Sequence, residues 1–371
     1  MINGTFSFPT SIQFGPGKLA GLPQFLEEYS MHRPLVVTDP GLLPTQAFAS
    51  LQTQVGPTCA LFSGVHPNPV QADVEQALGA YLQGECDGVI GFGGGSALDV
   101  AKVVRARIAC RDIPLAEFYS VKSWPKLAPF IAIPTTAGTG SEVGRSSVIV
   151  FGGRKQVLFH PSLLASLVIL DPELTVDLPP GLTAATGIDA LTHCIESFTS
   201  PVFHPLCNAI ALEGARLVVA YLARAVRAGN DMEARGMMQI AAMMGGIAFQ
   251  KDLGAVHSMA HPLSTICGMH HGLANSLCLV AVMRLNAARK PGLYHQLAWT
   301  LGLPRQDDAA VIARMEELIR ACGITGGLAG HGVQPGHLEE LSEGALADSC
   351  HATNPVPVTR EDFLDLYNAS L

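Results

Sequence analysis

The histidines of the stretch HSMAHPLSTICGMHH are the side chains in this chain best suited to bind a metal. His257 and His261 are four residues apart and would share one helix face, because side chains at i and i+4 stack above each other, and His271 follows ten residues later. The segment GIDALTHCIESF supplies a second pair with the same spacing, Asp189 and His193. One pair alone is more typical of a satisfied core histidine. A carboxylate with three imidazoles, delivered from short helical pieces by the two pairs and His271, predicts a divalent-metal site.

A glycine-rich stretch, GFGGGSALDVAK, follows a predicted strand and opens a predicted helix. Consecutive glycines let the backbone approach a ligand closely, and the free N–H groups of a helix N-terminus attract phosphate. Ser96 stands where the pattern GxGxxG has its third glycine. The alternative is a simple tight turn, but the order strand, glycines, helix favours phosphate binding.

Polar side chains follow two other predicted strands. The loop PTTAGTGSEV carries Thr135, Thr136, Thr139 and Ser141, whose hydroxyls suit phosphate, ribose or a nicotinamide amide at the carboxyl end of a strand. A structural turn explains this loop as well. Asp39 ends the strand LVVTD, where an acidic residue accepts hydrogen bonds from ribose hydroxyls and repels a 2′-phosphate, which predicts NAD over NADP. An Asp-Pro-Gly turn explains Asp39 equally well.

Short β-rich runs alternate with helical patterns in the first half of the chain, which predicts a parallel sheet with helices on both faces. The predicted strands are 34–39, 59–65, 87–95 and 129–135, and the predicted helices are 43–54, 70–83 and 96–109. The runs SSVIVF (146–151) and SLVILD (166–171) are interpreted as later strands of the same domain, in a hairpin-like addition.

The pattern becomes helical after the prolines of DLPP. The stretches 207–229 and 232–250 are rich in Ala, Met and Leu, which are strong helix formers. We therefore predict two domains, an α/β domain over 1–180 and an all-helical domain over 181–371.

Composition narrows the class of protein. With 371 residues the chain exceeds the usual size of a single core, and 48% hydrophobic with 15% charged residues indicates a compact fold. The nine cysteines show no CxxC spacing and the N-terminus does not resemble a signal peptide, which favours a reducing cytoplasm. A net charge of −8 without long Lys/Arg runs argues against nucleic acid, and the lack of an apolar run of about 18 residues argues against a membrane.

The motifs together resemble the iron-containing (group III) alcohol dehydrogenase family. The matching segments are GFGGGSALDVAK, PTTAGTGSEV, GIDALTHCIESF, GAVHSMAHPLS and MHHGLAN, and the resemblance extends from FPTSIQFGPGKL to TNPVPVTREDFLDLY. It implies an α/β dinucleotide-binding domain with a parallel sheet and an all-α metal-binding domain, in a dehydroquinate synthase-like architecture. It also implies a homodimer or higher homo-oligomer, and a metal for which iron is favoured while the ligand set permits zinc.

Matching positions imply roles for individual residues. The metal ligands would be Asp189, His193, His257 and His271, with His261 as the nearby non-ligand histidine that contributes to proton transfer. The fourteen-residue spacing from His257 selects His271 over His270. The residues implied for the cofactor site are Asp39, Asn68, Gly94, Gly95, Ser96, Asp99, Thr135, Thr136, Thr139, Ser141 and Lys155.

The expected reaction is hydride transfer between NAD(H) and a small primary alcohol or aldehyde, because a metal-bound alcohol loses its proton more readily. If Lys251 faces the substrate, that substrate carries an anionic group, as in a hydroxy acid or semialdehyde; the alternative is a solvated surface lysine. Other functions are an NAD-dependent metal lyase of the dehydroquinate-synthase type, a maleylacetate-reductase-like activity, and non-catalytic metal or nucleotide binding. Lys and Arg are sparse around the motifs, which disfavours the polyanionic substrate of such a lyase.

Overall fold

The computed structural model describes residue 8 and residues 10–120, 124–152 and 154–371. The chain forms two compact units. The α/β unit consists of Phe8–Thr136 and Gly140–Leu178, and the helical unit consists of Ala137–Thr139 and Pro179–Leu371. Each unit buries its own apolar side chains, so each has a hydrophobic core.

A six-stranded sheet forms the centre of the α/β unit, and every strand pair in it is parallel. Its order is β1-β8-β5-β4-β2-β3. The strands are β1 Ser11–Phe14, β2 Pro34–Val37, β3 Ala60–Phe62, β4 Gly88–Gly93, β5 Phe130–Pro134 and β8 Leu167–Leu170. The apolar runs of β2, β4, β5 and β8 are buried throughout, as expected for inner strands covered on both faces. The predicted parallel sheet is confirmed.

The remaining two strands form a separate antiparallel hairpin, β6 Ser146–Phe151 and β7 Arg154–Phe159. The prediction that 146–151 and 166–171 belong together in a hairpin-like addition is therefore wrong. Residues 166–171 enter the main sheet between β1 and β5, and the hairpin partner of β6 is β7, which was not predicted. The strand β1 was also missed, since its four residues are only partly buried and lack an apolar run.

Four helices accompany the parallel strands: α1 Leu22–Glu28, α2 Gln46–Val55, α3 Gln71–Gln83 and α4 Gly95–Ala109. The three helices predicted for this region are confirmed as α2, α3 and α4, with small shifts of their ends. Helix α4 begins directly after β4, with Gly94 as its N-cap. The predicted strand–glycine–helix unit therefore forms as expected.

The helical unit contains nine described α-helices. They are α5 Pro180–Thr199, α6 Pro205–Arg227, α7 Met232–Ala248, α8 Ala255–Ile266, α9 His271–Arg289, α10 His295–Thr300, α11 Asp308–Ala321, α12 Leu338–Ala347 and α13 Arg360–Ser370. Pro180 occupies the first helical position of α5, where its missing N–H has no intrahelical partner to lose. Pro262 lies inside α8 and does not end it. The predicted all-helical second half is confirmed.

Among the described helices, α6 is the one that is long and apolar enough to cross a bilayer by length and composition. A core helix passes the same test, and α6 buries Leu212, Val218 and Leu222 in the core of the helical unit. Its exposed side carries an ion pair between Glu213 and Arg216. We therefore assign α6 to the protein core.

Glycines allow the helices of this unit to approach closely. A Cβ at Gly187 on α5 would lie 2.2 Å from the Leu222 side chain, and one at Gly272 on α9 would lie 2.3 Å from the carbonyl oxygen of Ala185. The second contact is with backbone, which cannot rotate away. Gly272 therefore fixes how closely the start of α9 approaches α5.

We predict that Gly272→Ala will lower the free energy of unfolding by about 1–3 kcal/mol, because the added methyl overpacks a helix contact. Gly181→Ala on α5 is the matched control, since a Cβ there meets nothing within 4 Å. The control should be neutral or stabilise by up to about 1 kcal/mol, as alanine favours helix over glycine. Urea unfolding of both variants checks this, and equal stabilities would contradict the close-approach interpretation.

Candidate functional site

Four predicted ligands converge in the helical unit. Helix α5 supplies Asp189 and His193, α8 supplies His257, and His271 is the first residue of α9. The Oδ1 atom of Asp189 lies 3.8 Å from Nε2 of His193, 3.7 Å from Nε2 of His257 and 3.6 Å from Nε2 of His271. Bonds of about 2.0–2.2 Å to a tetrahedral ion would separate its ligands by roughly 3.3–3.6 Å. The donor atoms of Asp189, His257 and His271 all lie within 4.8 Å of one another, close enough to share a divalent cation, and His193 approaches this group at Asp189.

The site is buried on most sides. Asp189, His193 and His257 are 2%, 5% and 1% exposed, whereas the side chain of His271 is 26% exposed. A small molecule would therefore reach the donor atoms past His271. Burial alone would raise the pKa of Asp189, but the nearby His193, His271 and His257 hold it well below its usual range. The Asp189 carboxylate is ionised and can act as a metal ligand.

The two innermost histidines have opposite pKa shifts. Burial lowers the pKa of His193 to about 4, so this ring is neutral near pH 7, as a ligand must be. Burial also opposes charge on His257, but the nearby carboxylates of Asp189 and Glu196 outweigh burial and raise its pKa to about 9. A cation that binds Nε2 of His257 must displace a proton there, so binding should release a proton at neutral pH.

The amide of Asn275 also points into this cluster. Its Nδ2 atom lies 2.7 Å from Oδ1 of Asp189 and 3.3 Å from Nε2 of both His257 and His271. Its Oδ1 is buried without a hydrogen-bond partner among the described residues, which is rare for a buried amide. A rotation of the amide by 180° would direct this oxygen at the ligand atoms, an orientation that suits a cation. The donor set and the Asn275 oxygen both fit a metal.

Glu196 is a member of this site that the sequence reasoning missed. It lies on α5 seven residues after Asp189, on the same helix face, and it is buried. Its Oε2 atom is 2.6 Å from Nδ1 of His257, and its Oε1 accepts a hydrogen bond of 2.7 Å from the backbone N–H of Val256. The i, i+4, i+7 spacing of Asp189, His193 and Glu196 in GIDALTHCIESF was the available signal.

His261 has its own carboxylate partner, Asp348. The distance from His261 Nδ1 to Asp348 Oδ2 is 2.7 Å, and the other carboxylate oxygen accepts from Ser258 Oγ and from the backbone N–H of Cys350. Burial would raise the pKa of Asp348, but the hydrogen bond with His261 holds it well below its usual range. The His261 ring stacks on that of His271 with centroids 5.3 Å apart. The predicted proton-transfer histidine therefore lies beside a predicted ligand, oriented by an ionised carboxylate.

Lys251 is buried. The residue is 2% exposed, so the expectation of a solvated lysine is wrong. Its ammonium donates to Asn208 Oδ1 at 2.6 Å and to the carbonyl of Phe198 at 3.3 Å. Burial lowers its pKa to about 8. Both described partners of the Lys251 ammonium belong to the helical unit.

In the α/β unit, several predicted cofactor residues gather around the start of α4. Gly93 has a φ of 148°, and a Cβ there would lie 2.8 Å from Ala97 Cβ and 3.4 Å from Asp39 Oδ2. A Cβ on Gly94 would contact the side chain of Thr136. Asp39 and Thr136 therefore flank a backbone cradle at a helix N-terminus, a geometry that suits phosphate and ribose.

Other predicted cofactor residues lie in the same unit. Ser96 donates from Oγ to the carbonyl of Pro67, and Asn68 is the next residue in the chain after Pro67. Thr135 is buried, and its backbone N–H donates to the carbonyl of Gly93. Gly95 is the first residue of α4. Lys155 lies on β7, in the hairpin.

Asp99 and Ser141 are part of an internal polar network one turn along α4. Ser141 donates from Oγ to Asp99 Oδ1 at 2.6 Å, and the fully buried Lys102 donates to Ser141 Oγ at 2.7 Å and to the carbonyl of Ser146 at 2.8 Å. The second oxygen of Asp99 accepts from the backbone of Val148. This network ties α4 to the loop after β5 and to the hairpin.

The predicted residue Thr139 belongs to the helical unit, within the segment Ala137–Thr139. The neighbouring Gly138 packs on α5, where a Cβ would lie 2.8 Å from the Thr186 side chain. The loop PTTAGTGSEV thus supplies residues to both units.

Comparisons with known proteins agree with this arrangement of motifs. Residues 9–172 match the family described as iron-containing alcohol dehydrogenase, and residues 183–371 match the C-terminal part of the Fe-containing alcohol dehydrogenase family. The chain is 36% identical to a 4-hydroxybutyrate dehydrogenase of Cupriavidus necator over 98% of both chains.

Solved structures also match this chain. A 1,3-propanediol oxidoreductase structure matches with a TM-score of 0.94 and 31% identity, over 99% of this chain and all of that one. A sulfoacetaldehyde reductase from Bifidobacterium kashiwanohense in complex with NAD+ matches with a TM-score of 0.91 and 29% identity, over 100% and 99% of the two chains. The protein is an oxidoreductase with an α/β sheet unit and a helical unit. It belongs to the iron-containing alcohol dehydrogenase family.

Proposed function

We propose that this protein is a metal-containing, NAD-dependent dehydrogenase that interconverts a small primary alcohol and its aldehyde. The observation that carries the proposal is the cluster of donor atoms from Asp189, His257 and His271 in the helical unit, with Nε2 of His193 3.8 Å from Asp189. Family membership supports the reaction class, and the NAD+ complex of the sulfoacetaldehyde reductase supports the cofactor.

In this proposal Asp189, His193, His257 and His271 hold the metal. Iron is favoured by the family name, and the donor set of one oxygen and three nitrogens also suits zinc. A metal held there would supply Lewis-acid chemistry toward the alcohol oxygen, and bound NAD+ would supply the hydride acceptor. The partly exposed His271 lies where the substrate oxygen would approach.

His261 is proposed to carry the substrate proton away. Its Nδ1 is held by Asp348, so its Nε2 remains to exchange a proton with the substrate hydroxyl or with water. Asp348 orients the His261 ring through the 2.7 Å contact with Nδ1, in the manner of the carboxylate of a catalytic triad. Asp348 is thus a positioning residue, and His261 is the group that transfers the proton.

The cofactor is proposed to bind the α/β unit. The N-terminus of α4, with Gly94, Gly95 and Ser96, would hold the pyrophosphate. Asp39 beside Gly93 would accept hydrogen bonds from the ribose hydroxyls, which favours NAD over NADP. Further contacts are proposed for Asn68, Thr135, Thr136, Thr139 and Lys155. Asp99 and Ser141 would support the site through the network with Lys102.

The substrate is proposed to be short, with hydroxy acids included. The similarity to a 4-hydroxybutyrate dehydrogenase supports an anionic group on the substrate. We also propose a cytoplasmic location and a homo-oligomer. All nine cysteines are free thiols, which is typical of a reducing compartment.

Absorbance at 340 nm tests the proposed reaction. The protein is stripped of metal, reloaded anaerobically with Fe2+ or separately with Zn2+, and incubated with NAD+ and a panel containing 1-propanol, 1-butanol, 1,3-propanediol and 4-hydroxybutyrate. We expect NADH from at least one alcohol, and rates at least tenfold lower with NADP+. No NADH with either metal would favour the lyase alternative and sink the dehydrogenase proposal.

Alanine variants test the division of roles among the histidines. His257→Ala and His271→Ala should each lose bound metal, because each removes a ligand from a four-donor site. His261→Ala should keep its metal and lose rate by about 10²–10⁴-fold, the usual contribution of a general acid–base group. Elemental analysis of the purified variants gives the metal content, and loss of metal from His261→Ala would reassign that residue.

The position of Lys251 leads to a prediction on substrate choice. Because its ammonium is held by Asn208 and Phe198, Lys251→Met should change kcat/KM for 4-hydroxybutyrate and for 1-butanol by the same factor, within about twofold. Methionine keeps much of the apolar stem of lysine and so limits cavity formation. A selective loss of activity on 4-hydroxybutyrate would show instead that Lys251 recognises the substrate carboxylate.

A further inference from the structure

We propose that Glu196 is a positioning residue of the metal site, which holds His257 in the one tautomer that can bind the ion. The inference rests on the proposed role of His257 as a ligand. Glu196 is not itself a proposed ligand. It would orient the His257 ring so that Nε2 faces the ion.

Both carboxylate oxygens of Glu196 are taken up by donors from the start of α8. Oε1 accepts from the backbone N–H of Val256 at 2.7 Å, one of the N–H groups that a helix N-terminus leaves without an intrahelical partner. Oε2 lies 2.6 Å from Nδ1 of His257. Glu196 therefore caps the helix that carries His257 and orients the ring of His257 at the same time.

The contact with Nδ1 determines which nitrogen of His257 is available. A neutral imidazole carries a proton on one nitrogen only, and an ionised carboxylate can only accept hydrogen bonds. The Glu196 contact keeps one proton on Nδ1, so Nε2, 3.7 Å from Asp189 Oδ1, is the nitrogen whose proton a cation replaces. Partners of this kind typically contribute 10–100-fold to metal affinity.

Burial gives a second reason for these contacts. Glu196 is 5% exposed, and a buried carboxyl group is costly unless it is hydrogen-bonded. The donors from Val256 and His257 give both of its oxygens a partner.

Gly254, the N-cap of α8, leaves the space that Glu196 needs. A Cβ at this glycine would lie 2.8 Å from Oε1 of Glu196 and 3.0 Å from Oδ1 of Asn354. Any larger residue would push the carboxylate away from Val256 and His257. Gly254→Ala is therefore a second way to disturb Glu196 without replacing Glu196 or a ligand.

The test compares metal affinity in Glu196→Gln and wild type. Glutamine has nearly the same shape but one acceptor oxygen, so it cannot accept from both Val256 and His257; if its NH2 faces His257, the ring takes the tautomer that blocks Nε2. We expect Zn2+ or Co2+ affinity, measured by chelator competition on the metal-free protein, to fall 10–100-fold. Gly254→Ala should show a loss in the same direction, and it serves as the test if Glu196→Gln does not fold.

Asp348→Asn is the matched control, because it changes the same carboxylate–histidine contact on His261, which is not a proposed ligand. Its metal affinity should stay within about twofold of wild type. A lower Tm of metal-free Glu196→Gln with unchanged affinity would mean that Glu196 only caps α8, and would overturn the inference. Equal losses in Glu196→Gln and Asp348→Asn would overturn it as well. If wild type binds neither metal, the proposed function itself fails, and that result appears before any variant is made.

Discussion

The candidate metal site is built around one buried carboxylate oxygen, Oδ1 of Asp189. Three imidazoles from two other helices and from its own helix lie within 3.8 Å of it. A buried carboxylate is costly unless polar partners surround it, so α5, α8 and α9 must pack closely enough to supply them. Gly272 permits this approach, because α9 begins almost in contact with the backbone of Ala185.

The same constraint explains the acidic partners of the histidines. Glu196 and Asp348 each hold the Nδ1 atom of one histidine on α8, so the two rings four residues apart are oriented by carboxylates from different parts of the chain. The α/β unit also buries polar side chains that hydrogen-bond with each other. Lys102 donates to Ser141, and Ser141 donates to Asp99. In both units, polar groups of the interior also hold functional segments in place.

Much of the fold could be read from local patterns. The buried strands β2, β4 and β5 are continuous apolar runs, and the glycines before α4 predict a strand-to-helix turn. Where the pattern was weak the prediction was incomplete: β1 is short and half-exposed, and β7 is a polar edge of a hairpin. Lys251 was misjudged because lysine is usually solvated, whereas here Asn208 and the Phe198 carbonyl provide a buried partner that residue type alone does not reveal.

The sequence by itself determined which residue types could do the chemistry, since the HxxxH and DxxxH spacings place donors on one helix face whatever the rest of the chain does. Only the tertiary structure decided which carboxylates contact these histidines. Glu196 meets His257 across 61 residues of sequence and Asp348 meets His261 across 87. Such contacts arise when α5, α8 and the segment after α12 pack together. Helical periodicity relates residues within one element, and it does not specify which elements will be neighbours.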